Sequence, residues 1–203
     1  MFNRFKSFPS RTRSRRNSLS KSAARRLKKL TMECLEERIA FTVNSFQDNG
    51  TYTGTEDTVL YSQLPTVTLG TETTISVDQQ DVGGVRQGLL KFGGVFGSGP
   101  GQIPFGSTIN SATLTVNVNN DSNSAMVMSF YRMLTDWSES TATWNSFGSI
   151  GGVQASENEA LGLPPDSIHY DSTTGVKIID VAASLRHWAS GESNFGWLIE
   201  SAA

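Results

Sequence analysis

The stretch that most constrains the fold of this 203-residue chain is residues 131–145, YRMLTDWSESTATWN. It joins an alternating bulky segment to two tryptophans, Trp137 and Trp144, across a run of hydroxyl side chains. The β-branched residues Thr141 and Thr143 favour extended backbone between the two indoles. Two large rings so close together anchor a core edge or a binding face. The stretch therefore indicates a β-sandwich and not a catalytic centre.

Charge divides the chain into two parts. Residues 1–40 hold 12 of the 17 Lys and Arg residues and 3 of the 19 Asp and Glu residues. Subtraction leaves 5 basic and 16 acidic residues in 41–203, which is a formal net charge of −11. A cationic leader therefore precedes an anionic body, and we predict a leader over residues 1–42 and one folded domain over 43–203.

The leader combines two kinds of composition. Residues 1–22 mix Arg, Lys and Ser with little to bury, which predicts disorder. Residues 23–39 place apolar side chains at helical spacing, which predicts a short amphipathic helix. Basic runs alone are a weak indicator of nucleic-acid binding, so we predict no nucleic-acid partner. No stretch of the sequence approaches the roughly 18 consecutive apolar residues of a membrane span, so no transmembrane segment is predicted.

A short motif closes the leader. Residues 30–41, LTMECLEERIAF, resemble the Leu-Glu-x-Leu-Glu-x-Arg region at the end of the basic N-terminus of many planctomycete surface and secreted proteins. The matching residues are Glu33, Leu35, Glu36 and Arg38. The resemblance implies an export leader, and hence a secreted, extracellular or cell-surface protein.

The body consists of short extended runs split by turn residues, the pattern of an all-β sandwich. Its clearest strand is residues 112–118, where Ala, Leu and Val alternate with Thr and Asn. A second alternating run, residues 126–130, follows the turn-forming segment 119–123. We predict that these two runs form a hairpin.

The rest of the body predicts further strands and one helix. The strands are predicted at residues 73–77, 88–92, 176–180 and 195–199. Asp180 can cap a short helix whose Val181, Leu185 and Trp188 share one face, and Gly191 supplies its left-handed stop. Residues 148–174 lack periodicity and are predicted to be a long surface loop.

Several ordered motifs of the body resemble one family. They are LLKF (89–92), IPFGSTINSATL (103–114), YRMLTDWSESTATWN (131–145) and WASGESNFGWLI (188–199). Together they resemble the DNRLRE domain, or family 96 carbohydrate-binding module. The resemblance implies a jelly-roll β-sandwich in exported bacterial proteins, some of which bind acidic polysaccharide such as alginate.

The chain departs from that family pattern at two places. Gly93 and Gly94 stand where members usually have Asp, so a ligand or ion held by that carboxylate is in doubt. Members generally continue past the Gly-Trp strand into another strand, whereas this sequence stops at Ala203. We therefore expect an open edge strand that could serve self-association or docking.

The residues predicted to contact polysaccharide are three cations and one indole: Arg86, Lys91, Arg132 and Trp144. An acidic polysaccharide needs cations, and these three lie on strands that match the family pattern. Tryptophans within a family motif are more often core than ligand platforms, which we expect of Trp137, Trp188 and Trp197. Trp144 is therefore the indole that we assign to sugar stacking.

Calcium is the ion that the body is best suited to hold. The chain has one cysteine, Cys34, so the body has no internal disulfide, while its loops are rich in oxygen donors. The possible donors are Asp48, Asp57, Asp121, Asp136, Glu139 and Asp180, and no ligand spacing fixes which of them bind. A structural calcium ion is therefore predicted, with Asp136 and Glu139 as its candidate ligands within residues 131–145.

Catalytic machinery is not indicated. The chain has two imidazoles, His169 in the irregular loop and His187 on the short helix, and it lacks a Gly-x-Ser-x-Gly elbow. We predict a non-catalytic extracellular carbohydrate-binding module. The alternative is a structural or adhesion β-sandwich module of the cell surface or matrix without a sugar site.

Overall fold

The computed structural model of the protein describes residues 41–79, 83–120, 127–156, 158–170 and 173–202. These residues form seven strands and one α-helix: β1 (Thr55–Tyr61), β2 (Arg86–Phe92), β3 (Thr113–Val118), β4 (Val127–Arg132), β5 (Ser167–His169), β6 (Gly175–Asp180), α1 (Ala182–Ala189) and β7 (Trp197–Ala202). The predictions for residues 1–40, and most of the predicted turn 119–123, lie outside the described residues.

The strands form two antiparallel sheets. The larger sheet has five strands in the order β1-β2-β7-β4-β5, and β3 pairs with β6 in a sheet of two strands. The predicted all-β sandwich is confirmed. β7, which comes last in the chain, is the central strand and pairs with β2 and β4. Both sides of β7 are therefore paired, so β7 is not the open edge strand that we expected.

The predicted hairpin is wrong, because its two strands lie in different sheets. β3 pairs with β6 from Thr113 opposite Asp180 to Val118 opposite Gly175, while β4 pairs with β5 and β7. The alternation predicted for β3 is confirmed, since Leu114 is buried and Thr113 and Thr115 are exposed. A hydrophobic period of two identifies which face of a strand is buried, but it does not identify the neighbouring strand.

Two other segments differ from their predictions. Residues 73–77 form no strand; Ile75 and Val77 pack instead onto the core beside Gly88, whose missing side chain makes room for them. The segment 148–174 is not entirely a surface loop, because it contains β5 and buries Val153 and Ala160. The irregular segments therefore supply core that the strands alone do not.

The five-stranded sheet has a core on each face. We call one the sandwich face, because the two-stranded sheet and α1 cover it, and its core contains Leu90, Leu114, Phe130, Ile179, Trp188, Trp197 and Ile199. We call the other the loop-covered face, because residues from the segment between β4 and β5 cover it, and its core contains Leu60, Leu89, Tyr131, Trp137, Phe147, Val153, Ala160 and Leu198. Alternation along each strand divides the side chains between the two faces.

The helix and its tryptophan follow the predicted pattern, except that the N-cap is Val181 and not Asp180. Asp180 precedes the N-cap, and its Oδ1 accepts the backbone N–H of Ala182 at 2.9 Å. Gly191 ends the turn after the helix with φ +106°. Trp188 is 2 % exposed, and its ring centroid lies 4.8 Å from that of Trp197 on β7. Trp137 and Trp197 are also buried, so the three indoles predicted to be core are core.

Candidate functional site

The three predicted cationic contacts do not converge. Arg86 and Arg132 lie on the sandwich face of the large sheet, and Lys91 lies on its loop-covered face. Lys91 is buried, with its Nζ 2.7 Å from the carbonyl oxygen of Trp137 and 3.0 Å from Glu56 Oε1. These partners use the charge of Lys91 within the protein.

The two arginines also have protein partners. Arg132 Nε lies 2.6 Å from Asp166 Oδ2, a charge contact without hydrogen-bond geometry, and its Nη1 lies 2.5 Å from Glu192 Oε2. Arg86 places its guanidinium carbon 4.1 Å from the ring centroid of Tyr61, and its Nη1 donates to Ser76 Oγ at 3.1 Å. Arg86 is half-buried, whereas Arg132 is buried.

Asp136 lies next to Lys91, and the backbone of Glu139 lies next to Glu56. Asp136 Oδ1 accepts the backbone N–H of Trp137 at 2.9 Å and lies 3.5 Å from Lys91 Nζ, while the N–H of Glu139 donates to Glu56 Oε2. The described residues contain no group of three His, Cys, Asp or Glu side chains that could hold a metal. Calcium prefers six to eight oxygens. The Lys91 ammonium already supplies positive charge beside the Asp136 carboxylate, so a calcium ion bound there would have to displace it.

The glycine at the family's aspartate position lies in a tight backbone contact. The N–H of Gly93 donates to the carbonyl oxygen of Gly54 at 2.6 Å, and the hydroxyl of Tyr52 donates to the carbonyl oxygen of Gly93 at 2.8 Å. A Cβ on Gly54 would lie 2.5 Å from that same carbonyl oxygen. The segments that contain Gly54 and Gly93 therefore pack against each other through their backbones.

One imidazole contacts a carboxylate. His187 Nδ1 lies 2.7 Å from Glu192 Oε1 on the surface beside α1, and this hydrogen bond, with help from Arg132, lowers the pKa of Glu192. Arg132, which contacts Glu192, also contacts Asp166. Asp166 Oδ2 accepts the hydroxyl of Ser184 at 2.8 Å, and Ser184 Oγ accepts the Nε1–H of Trp197 at 2.8 Å. The network therefore joins α1 to the large sheet and does not place a hydroxyl against the imidazole.

Trp144 lies on the loop-covered face, held by a pair of glycines. It begins a short 3-10 turn, Trp144–Ser146, and its half-buried ring packs against the core of that face. The N–H of Gly152 donates to the carbonyl oxygen of Trp144 at 2.7 Å. A Cβ on Gly152 would lie 2.8 Å from Trp144 Cη2, and one on Gly151 would also collide with the indole. Glycine is therefore required for the backbone to lie against the ring.

Gln87 lies beside Gly152 and contacts Glu200. Gln87 is buried on β2; its Nε2 donates to the carbonyl oxygen of Val153 at 2.8 Å and to Glu200 Oε1 at 2.7 Å, and its Oε1 accepts the N–H of Val153 at 2.8 Å. A Cβ on Gly152 would lie 2.6 Å from that Oε1. We call Trp144, Gly152, Gln87 and Glu200 the Trp144 array.

The carboxyl of the array is partly desolvated. Burial raises the pKa of Glu200, and the hydrogen bonds from Gln87 and Gln79 act in the opposite direction. Burial and the nearby charge of Glu200 raise the pKa of Tyr131, which lies on the same face of the adjacent strand. Sequence reasoning identified Trp144 alone, because the β2–β7 pairing that brings Gln87 to Glu200 joins residues far apart in the chain.

Comparison with known proteins gives the family. The sequence profile of carbohydrate-binding module family 96 matches residues 49–203, which is most of the chain. The chain belongs to carbohydrate-binding module family 96. A search of curated proteins found no match. The family-96 profile covers every strand described above, so the Trp144 array lies inside the matched region.

Glu200→Gln is expected to raise the melting temperature of this family-96 module at pH 7. A carboxyl whose pKa is raised by folding loses stability as the pH rises through that raised pKa, because folding then opposes its ionisation. The gain should shrink below the ordinary pKa of 4.5, where both states are protonated. Calorimetry at both pH values, with the exposed Glu72→Gln as a control, tests this. A lower melting temperature for Glu200→Gln at pH 7 would contradict it.

Proposed function

We propose that this module binds polysaccharide through the Trp144 array. The observation that carries the proposal is a half-buried indole fixed by two glycines next to a hydrogen-bonded amide and carboxyl. An aromatic ring stacks on the apolar face of a sugar ring, and a carboxylate accepts hydrogen bonds from sugar hydroxyls. The array combines both kinds of contact on one face of a rigid sheet.

The polar edge of the indole supports this assignment. Trp137 Nε1 donates to the carbonyl oxygen of Phe195 at 2.8 Å, and Trp197 Nε1 donates to Ser184 Oγ. Among the described residues, none accepts a hydrogen bond from Trp144 Nε1. The lack of a protein acceptor distinguishes Trp144 from these two buried indoles.

The proposed role is non-catalytic binding outside the cell. The cationic leader supports export, as does its planctomycete-type motif, and N-terminal sequencing of the exported protein tests whether the leader is removed. No helix among the described residues is both long and apolar enough to cross a bilayer. Self-association through an edge strand is part of the proposal, and sedimentation of the protein at several concentrations tests it.

Two finer predictions concern ligand charge and calcium. The family resemblance implies an acidic polysaccharide such as alginate. A structural calcium ion is predicted to raise the melting temperature, because an ion that binds the folded state alone stabilises it. Calorimetry with calcium and with EDTA measures this shift, and superimposable scans would contradict a structural ion.

Trp144→Ala is expected to lower affinity for the bound polysaccharide at least about tenfold, roughly 1.4 kcal/mol. The reason is the loss of the stacking surface of the indole. Affinity electrophoresis on alginate, pectin and neutral glucans measures the effect. Tyr170→Ala is the control, because Tyr170 is 75 % exposed and lies outside the array.

The alternative function is an adhesion or structural module without a sugar site. Exposed β-branched residues on the outer face of the two-stranded sheet, Val176 and Ile178, are the observation that favours it. If no polysaccharide on the panel is retained by the wild-type chain, the adhesion function replaces the binding function.

A further inference from the structure

The Trp144 ring is held in place by a series of contacts that begins at Gln87 on β2. We propose that Gln87 is a positioning residue for polysaccharide binding, because it fixes the backbone that packs against the indole. Its side chain is buried, so it acts on the ring and not on the ligand. The inference rests on the proposed function, because it explains how the same site is kept in one conformation.

The side-chain amide of Gln87 has a single orientation. A glutamine amide carries two N–H donors and one carbonyl acceptor. The Nε2 group donates to the carbonyl oxygen of Val153 and to Glu200 Oε1, and Oε1 accepts the N–H of Val153. The opposite orientation would direct the NH2 group at the Val153 N–H and the oxygen at two acceptors. The amide therefore pairs with both backbone polar groups of Val153.

These hydrogen bonds take the place of strand pairing for Val153. This residue is 1 % exposed and lies in the segment between β4 and β5, outside both strands. Buried backbone N–H and C=O groups need hydrogen-bond partners, and an unpaired one costs more free energy than an ordinary hydrogen bond contributes. Gln87 supplies a partner to each group. The backbone at Val153 is therefore tied to β2 by this side chain.

The backbone that precedes Val153 lies directly against the indole. The N–H of Gly152 donates to the carbonyl oxygen of Trp144 at 2.7 Å. A Cβ on Gly152 would lie 2.6 Å from Gln87 Oε1 and 2.8 Å from Trp144 Cη2, so this residue fills the space between the amide and the ring. A Cβ on Gly151 would collide with Trp144 Nε1. A shift of this backbone toward the ring therefore displaces the ring.

A fixed ring matters because stacking depends on the orientation of the indole. When the binding conformation is populated only part of the time, the apparent affinity falls by that fraction. A ring that is fixed before the ligand arrives also loses less freedom on binding. Loss of the Gln87 amide frees the backbone of residues 151–153, and the ring with it. The affinity should fall although no contact to the ligand has been removed.

Gln87→Met tests this role, because methionine keeps the length of the side chain and removes its three hydrogen bonds. The Trp144 Nε1–H signal in a nitrogen-15 NMR spectrum of the full chain without ligand should shift. Affinity for a polysaccharide retained in affinity electrophoresis should fall at least about fivefold. Gln102→Met is the matched control. The Gln102 amide also fixes a loop, through the carbonyl oxygen of Gly94 and the N–H of Gly99, both at 2.8 Å, and this loop is not part of the array.

An exchange of the amide and the carboxyl separates positioning from a general loss of stability. Gln87→Glu alone puts a carboxylate against Glu200 and the carbonyl oxygen of Val153, so it should weaken binding as Gln87→Met does. Adding Glu200→Gln returns an N–H donor to the pair. The doubly substituted chain should recover at least about threefold in affinity, a coupling that independent effects would not give. All comparisons are made below the melting temperature of each variant.

Three results would overturn the inference. Gln87→Met could bind as tightly as the wild type while Trp144→Ala abolishes binding, which would leave the proposed function intact. Gln102→Met could lose as much affinity as Gln87→Met, or the exchanged chain could show no recovery, and either result would assign the effect to stability. A Trp144→Ala variant that binds like the wild type would instead overturn the proposed function itself.

Discussion

Asp166→Asn is expected to destabilise the domain by about 3 kcal/mol or more. The Arg132 and Asp166 side chains are 7 % and 9 % exposed, and Asp166 also accepts the hydroxyl of Ser184. Removing the buried carboxylate leaves the guanidinium without its desolvated partner. Because Ser184 in turn accepts from Trp197, the loss extends to the contact between α1 and the central strand. Urea denaturation followed by tryptophan fluorescence measures the change.

Glu192→Gln provides the matched control, because Glu192 contacts the same guanidinium at 2.5 Å but its side chain is 49 % exposed. Exposed ion pairs contribute about 0 to 1 kcal/mol, so this variant should cost far less than Asp166→Asn. The lowered pKa of Glu192 means that its contribution is present at neutral pH and is lost as the pH falls through that pKa. Equal effects of the two substitutions would show that burial does not set the strength of this network.

Trp188→Ala is expected to cost about 3 to 5 kcal/mol. The ring is 2 % exposed and packs against Trp197, so its removal leaves a large cavity between α1 and the five-stranded sheet. A domain of this size has a total stability of about 5 to 15 kcal/mol, so the variant should unfold at a much lower temperature. Calorimetry measures the melting temperature.

Trp188→Phe separates the cavity from the loss of an aromatic contact. Phenylalanine keeps a ring beside Trp197 and fills part of the volume, so a smaller loss is expected. If Trp188→Ala melted within a few degrees of the wild type, the packing described for the sandwich face would be wrong.

Much of the fold could be predicted from local sequence signals. The alternation in β3 and the Gly191 stop are properties of a few adjacent residues, and both are confirmed. The predicted cap is off by one residue, since the N-cap is Val181 and Asp180 contacts the helix from the position before it. The strand partners could not be predicted, because β3 and β6 are joined by contacts between residues distant in sequence. The β5 strand is three residues long, too short for a period to be visible.

The candidate site was only partly predictable for a related reason. Cations on strands suggested ligand contacts, but Lys91 and Arg132 are buried with carboxylates that come from other segments. Gln87 and Glu200 carry no motif, and their role depends on the loop that brings Val153 and Gly152 between the strand and Trp144. Composition still gave useful information, since a body with 16 acidic and 5 basic residues offers carboxylate partners to buried cations such as Lys91 and Arg132.

The central claim is that sugar binds at Trp144 on the loop-covered face, and the indole N–H signals in a nitrogen-15 NMR spectrum test it directly. The chain has four tryptophans, and Trp137 and Trp197 donate their Nε1–H inside the protein. Titration with a polysaccharide retained in affinity electrophoresis should shift the Trp144 signal, assigned from its absence in Trp144→Ala, and leave those two in place. Binding that leaves the Trp144 signal unmoved would contradict the account.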